Sequence, residues 1–225
     1  MSNKKVSRRD FIKTGSSSLA ALGVGTLFGG WFGLGNGVIA IPASEGYLVV
    51  DTKKCQGCNT CTMTCSLAHH GTINLSLGRI QIEQNSLKAW PDDLTIDQCR
   101  QCPTAPCVEV CPTKANHYDP QHGNVRLVDE KKCIGCQQCI QACPYDTSRV
   151  VWNHIDRHAQ KCDLCTNTPF WNEKGGIGGK QACVQVCPVD AIKFTNKIPS
   201  QIGSGGYDVN LRKQDAWDEF KWPID

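Results

Sequence analysis

A chain of 225 residues suits one domain or two small ones, and its net charge of +3 misleads because residues 1–43 hold Lys4, Lys5, Arg8, Arg9 and Lys13 against Asp10. The remainder carries 19 basic and 20 acidic side chains, a balance that shows no basic patch for nucleic acid. All 16 cysteines lie beyond residue 54, about 9% of the chain after residue 43, so the aliphatic core is thin and the protein is either a disulfide scaffold or metal-dense.

In chain order, Ser7-Arg8-Arg9-Asp10-Phe11-Ile12-Lys13 matches a twin-arginine export signal, with Ile12 where leucine is commonest. Residues 19–41 follow, uncharged and containing seven glycines, a weakly apolar stretch expected of a signal h-region and poor for a spanning helix. Cleavage is expected near Ala40 or Ala43, with an uncleaved anchor as the alternative. Such a signal implies export of an already folded protein to the periplasm or the outer face of the membrane. Cysteines loaded with metal in the cytoplasm would then cross as ligands, not as free thiols.

Four cysteine groups come next. CQGCNTCTMTCS supplies Cys55, Cys58, Cys61 and Cys65; CRQCPTAPCVEVCP supplies Cys99, Cys102, Cys107 and Cys111. CIGCQQCIQACP supplies Cys133, Cys136, Cys139 and Cys143; the fourth group supplies Cys162 and Cys165, then Cys183 and Cys187 after a 17-residue insertion. No cysteine is left over. YLVVDTKKCQGC at 47–58 resembles VRLVDEKKCIGC at 125–136, and CVEVCPTKANHYD resembles CVQVCPVDAIKFT, which signals duplication. Each unit reads as a short strand, a cysteine loop, a short helix opened by the final cysteines, and a returning strand after the proline. The fold class is α+β: two ferredoxin-like modules, the outer from the groups at 55–65 and 162–187, the inner from those at 99–111 and 133–143. The segments are a signal (1–43), a four-cluster domain (44–197) and an irregular tail (198–225).

A Cys-x-x-Cys-x-x-Cys loop lets three thiolates surround one cubane, and in two-cluster ferredoxins the cysteine before proline serves the other cluster. Gly57 and Gly135 fit where the chain passes close to a cluster. Disulfides would need no repeated Cys-x-x-Cys, and neighbours at that spacing make strained bridges. Zinc competes for the fourth group alone, since two short cysteine pairs that far apart also describe a zinc ribbon.

The four groups, with the widened Cys99-x-x-Cys102-x4-Cys107 and the insertion after Cys165, resemble the four-cluster iron–sulfur subunits of molybdenum and tungsten oxidoreductases over residues 46–197. That family includes the electron-transfer subunits of dimethyl sulfoxide, polysulfide and tetrathionate reductases. CSLAHHGTINLSLGRI, the fourth group and GYDVNLR look closer to the ferredoxin-like partners of tungsten aldehyde oxidoreductases. The resemblance implies four 4Fe-4S clusters: Cys55, Cys58 and Cys61 with Cys187; Cys162, Cys165 and Cys183 with Cys65; Cys99, Cys102 and Cys107 with Cys143; Cys133, Cys136 and Cys139 with Cys111. It departs at Cys65-Ser66, which lacks the usual proline. It implies a non-catalytic subunit passing single electrons between a catalytic molybdenum or tungsten pterin subunit and a quinone-linked membrane subunit or a cytochrome. A free-standing periplasmic polyferredoxin, or a nitrite- or sulfur-respiration carrier without a pterin partner, is the alternative.

Other residues read as structural. His69 and His70 are expected to pack a loop, and His154 and His158, at i and i+4, to lie on a solvated face. Asp92 and Asp93 lie in a turn and form no acid–base pair. Gly175-Gly176-Ile177-Gly178-Gly179 lacks the Lys-Ser/Thr of a phosphate loop and reads as flexible insertion. Phe170, Trp171, Trp217 and Trp222 either dock a partner or cover their own clusters.

Overall fold

The computed structural model describes residues 42–89, 92–199 and 201. The expected signal, its cleavage positions, Trp217 and Trp222 lie outside them. Among the described residues no helix is long and apolar enough to cross a membrane.

The sheet content of the described residues is four two-stranded antiparallel ribbons with short helices between, an α+β arrangement. Strand β1 (Tyr47–Val50) is an unbroken apolar run buried at every position, as expected of a strand covered on both faces. It pairs with β8 (Ile192–Thr195) in the register Tyr47↔Thr195 to Val50↔Ile192, so the beginning and end of the cysteine-bearing region share a ribbon. The remaining ribbons join β2 (Ile80–Gln84) to β3 (Leu94–Gln98), β4 (Asn116–Asp119) to β5 (Val125–Val128), and β6 (Val151–Asn153) to β7 (His158–Gln160). Leu48, Val50, Ile80, Leu94, Ile96 and Leu164 pack into one cluster with buried cysteines interleaved, so sulfur replaces part of the hydrocarbon core.

The cysteine groups share one local design. The residue before the second cysteine is left-handed in each: Gly57, Gln101, Gly135 and Leu164 have φ of 67°, 48°, 73° and 55°. That conformation is costly for a residue with a Cβ and unusual for leucine. Gln101 is held there by its buried amide, which donates to the Cys162 carbonyl at 2.8 Å and accepts the Arg126 N–H at 2.6 Å. The third cysteine is then the second residue of a helix: Cys61 in α1 (Thr60–His70), Cys107 in α2 (Pro106–Glu109), Cys139 in α3 (Gln138–Gln141) and Cys183 in α4 (Ala182–Gln185).

Helix length follows from one residue. Pro112, Pro144 and Pro188 follow the fourth cysteines, and the residue before a proline is driven out of the helical region, so α2, α3 and α4 stop after four residues. Ser66 stands in that place in the first group, and α1 runs 11 residues to Gly71, whose N–H caps the Leu67 carbonyl at φ 69°. The expected short helix is therefore long here, and His69 and His70 sit in its last turn instead of a loop.

Two further expectations are corrected. His154 and His158 flank the β6–β7 turn, not a helical face, and Asn153 pairs with a buried His158. The glycine-rich insertion is ordered against the fold. Gly176 N–H donates to the Leu164 carbonyl at 2.9 Å, and a Cβ on Gly175 would overlap the Cys165 carbonyl.

Candidate iron–sulfur sites

The sixteen cysteines form no disulfide and line four cavities of about 340, 320, 330 and 320 Å³, counting the space open to solvent. The first brings together Cys55, Cys58, Cys61 and Cys187. The second brings together Cys65, Cys162, Cys165 and Cys183, and the third Cys99, Cys102, Cys107 and Cys143. The fourth brings together Cys111, Cys133, Cys136 and Cys139. Every cavity takes three cysteines from one group and one from another. Identical donor sets suit four copies of one guest.

The donor chemistry defines that guest. Burial pushes the thiols of Cys61, Cys99 and Cys165 up to about 12 and that of Cys139 to about 11, and carries Cys162 and Cys183 well above their ordinary range. Four thiolates in so dry a space need a strongly cationic partner, since thiolate is the form that ligates metal. Four cysteines around each of four cavities, three of them from one Cys-rich loop, is the donor set of an iron–sulfur cubane. Cys183 also shares its cavity with Cys65 from α1, unlike a self-contained ribbon.

The fourth cysteine of each group carries a matching support. A backbone N–H reaches Cys65 from Arg79 at 3.3 Å, Cys111 from Asn116 at 3.3 Å, Cys143 from Arg149 at 3.2 Å and Cys187 from Ala191 at 3.2 Å. Hydrogen bonds to ligand sulfur are one means by which a protein sets cluster potential. Helices α1 and α4 pack together; α1 contributes Cys61 to one outer cavity and Cys65 to the other, while Cys183 of α4 and Cys187, just past its end, line the two in turn. Helices α2 and α3 pack together as well, with Cys107 and Cys139 inside them and Cys111 and Cys143 just past their ends, each pair divided between the inner two cavities. Cys162 of an outer cavity follows Lys161 of an inner one, and Gln101 ties the same strands. Only Cys58 and Cys136 are exposed, one in each of the remaining cavities.

The charged surroundings differ sharply between cavities. Beside the Cys162 cavity, His69 Nδ1 donates to the Cys65 carbonyl at 2.8 Å and Nε2 to Asp163 at 3.0 Å, so both ring nitrogens face acceptors. Burial opposes charge on His69, but the Asp163 carboxylate outweighs it and raises the imidazole to about 9. Asp163 is held well below its usual range against its own burial by Arg79, 3.0 Å away, and His69. Arg79 also reaches Glu130 at 3.2 Å, and His158 lies 3.4 Å from the same carboxylate. Sequence reasoning missed this network; its signal was Asp163 inside a buried Cys-x-x-Cys, where a charge requires a partner. Asp93 accepts from Gln84 at 3.1 Å, an ordinary turn contact. Trp171 packs on Ala68, Cys165 and Ala182, covering its own site, whereas Phe170 is exposed.

Comparison with known proteins agrees with this chemistry. Residues 92–197 match the family described as a 4Fe-4S dicluster domain. The protein is 36% identical over 157 residues to the thiosulfate reductase electron transfer subunit PhsB of Salmonella typhi, spanning 68% of its own length and 76% of that subunit. It is 33% identical to the B subunit of the polysulfide reductase of Wolinella succinogenes, over 65% of its own length and 74% of that subunit. It is 35% identical to the aliphatic sulfonate oxidoreductase polyferredoxin-like subunit of Pyrococcus furiosus, over 63% and 70%.

Proposed function

Because this chain belongs to the family of ferredoxin-like 4Fe-4S electron-transfer subunits of reductase complexes, we propose that it is the electron wire of an exported molybdenum or tungsten enzyme. It carries 4Fe-4S clusters and is not itself the catalytic subunit. A bound cluster supplies one-electron chemistry, while the protein sets order, exposure and hydrogen bonding. We read four clusters, each on the four cysteines of one cavity, in two ferredoxin-like modules. The similar third-residue turns and helix starts of the four groups support duplication.

The observation that carries this reading is the arrangement of the cavities. Each cavity joins three cysteines of one group to one of another, the Lys161–Cys162 step joins an inner cavity to an outer one, and Cys58 and Cys136 give two cavities a solvent-exposed ligand. Connected centres, two of them with an accessible ligand, suit passage between two partners. One partner is the pterin-containing catalytic subunit; the other is a quinone-linked membrane subunit or a cytochrome. The twin-arginine pattern around Arg8 and Arg9 supports a periplasmic location.

The test is native purification from the periplasmic fraction under anaerobic conditions with metal and pterin analysis. Co-purification of a large subunit containing molybdenum or tungsten supports the wire. A brown protein that stays alone at physiological salt instead makes it a free-standing polyferredoxin.

A further inference from the structure

The Cys99 cavity differs from the other three in charge. Among the described residues, Arg100, Arg126, Arg149 and Lys161 line it, and no carboxylate does. All four are buried, from 1% to 3% exposed. Among the described residues, the cavities of Cys55 and Cys133 have no charged side chain in their walls apart from their thiols, and that of Cys162 has the mutually paired His69 and Asp163.

Arg149 pairs with Asp97 and Arg100 stacks on the Tyr145 ring, so the other two cations are the informative ones. Lys161 Nζ donates to Asn116 Oδ1 at 2.6 Å and lies 3.7 Å from Cys107 Sγ. Arg126 donates to the carbonyls of Asn124, Pro42 and Pro103 at 2.6, 2.8 and 3.1 Å. These contacts supply dipoles and a sulfur, not a carboxylate. Burying a cation is costly unless an anion compensates it. The group with that anionic charge is a thiolate-ligated cluster on Cys99, Cys102, Cys107 and Cys143, whose charge falls by one unit on reduction. Fixed positive charge in a low-dielectric site favours the reduced form more than the oxidised one.

We propose that Lys161, backed by Arg126, makes the Cys99 cavity the most easily reduced site of the chain, where the first electron to enter is retained. Lys161 is a positioning residue for charge: it ligates nothing and sets which site fills first. This inference rests on the cluster reading above and adds the order of filling. Asn116 assists by fixing the ammonium toward Cys107 while donating its own amide to the Cys107 carbonyl at 2.9 Å.

The experiment is an anaerobic reductive titration of the full holoprotein with dithionite as the electron donor, followed by electron paramagnetic resonance. Wild type is compared with Lys161→Met and Lys161→Arg. The expected result is that the first signal to appear in wild type is the one that Lys161→Met shifts, its reduction becoming at least tenfold less favourable, about 59 mV for one electron. Lys161→Arg restores it. Should Lys161→Met fail to load iron, Asn116→Asp, which sets a carboxylate against the ammonium, is expected to shift the same signal in the same direction. A first signal unmoved by whichever of these variants loads iron overturns the proposal. Wild type without iron and sulfide overturns the cluster reading itself, so the two failures are distinguishable.

Discussion

Replacing Asp163 with asparagine removes the centre of the buried network beside Cys65. The carboxylate accepts from His69 Nε2, Arg79 Nη1 and the Cys165 N–H, each at 3.0 Å, and from the Asn167 N–H at 3.3 Å. His69, Arg79 and Asp163 are all buried, so Asp163→Asn leaves His69 without its carboxylate and Arg79 with only the part-exposed Glu130, a loss of about 3–5 kcal/mol. For a domain of this size that is roughly 6–20 °C in melting temperature. Part of the loss depends on pH. His69 is raised from 6.5 to about 9, so its contribution, on the order of 3 kcal/mol, is fully present below about pH 6.5 and is lost as pH rises through about 9. The assay is an anaerobic thermal melt at fixed scan rate, read by circular dichroism and visible absorbance, for wild type and variant from about pH 6 to about pH 10. The gap should be widest at low pH and narrow toward pH 10. Glu173→Gln, which breaks an exposed pair with Lys180 at 3.3 Å, should move the melt by less than about 2 °C. A gap for Asp163→Asn as small as that control, or one independent of pH, would refute the reasoning.

Two other substitutions probe the site and the fold. Cys143→Ala should disturb the cluster held with Cys99, Cys102 and Cys107 and spare the one held by Cys133, Cys136 and Cys139; spectroscopic damage confined to the latter would refute the cavity assignment. Ser66→Pro, which makes the first group look like the other three, should destabilise the protein by about 3 kcal/mol or more in denaturant titrations. It breaks α1 at a buried position and removes the bonds of the Ser66 hydroxyl to the Thr72 carbonyl and the Asn74 N–H; unchanged stability would contradict the account of helix length.

How much was legible depends on distance along the chain. Cysteine spacing and glycines carry local information, so the loops, helix starts and strand–loop–helix order could be read directly. Ser66 was visible as a departure, and its effect, a helix extended to His70, follows from the absence of proline. The network at Asp163 was hidden because His69 and Arg79 stand 94 and 84 positions away, and no periodicity connects them. His158 misled because i, i+4 spacing is meaningful only on a helix, and the turn at Asn153 makes the segment a hairpin. The glycines at 175–179 misled for a related reason. Small residues serve close backbone approach as well as freedom, and only the Cys165 carbonyl against Gly175 tells which.

Iron and acid-labile sulfide in the anaerobically purified chain test the central claim most directly. About sixteen of each per chain is the expected result, since four cubanes on sixteen cysteines require it. A colourless protein whose sulfurs hold zinc or one another would contradict it.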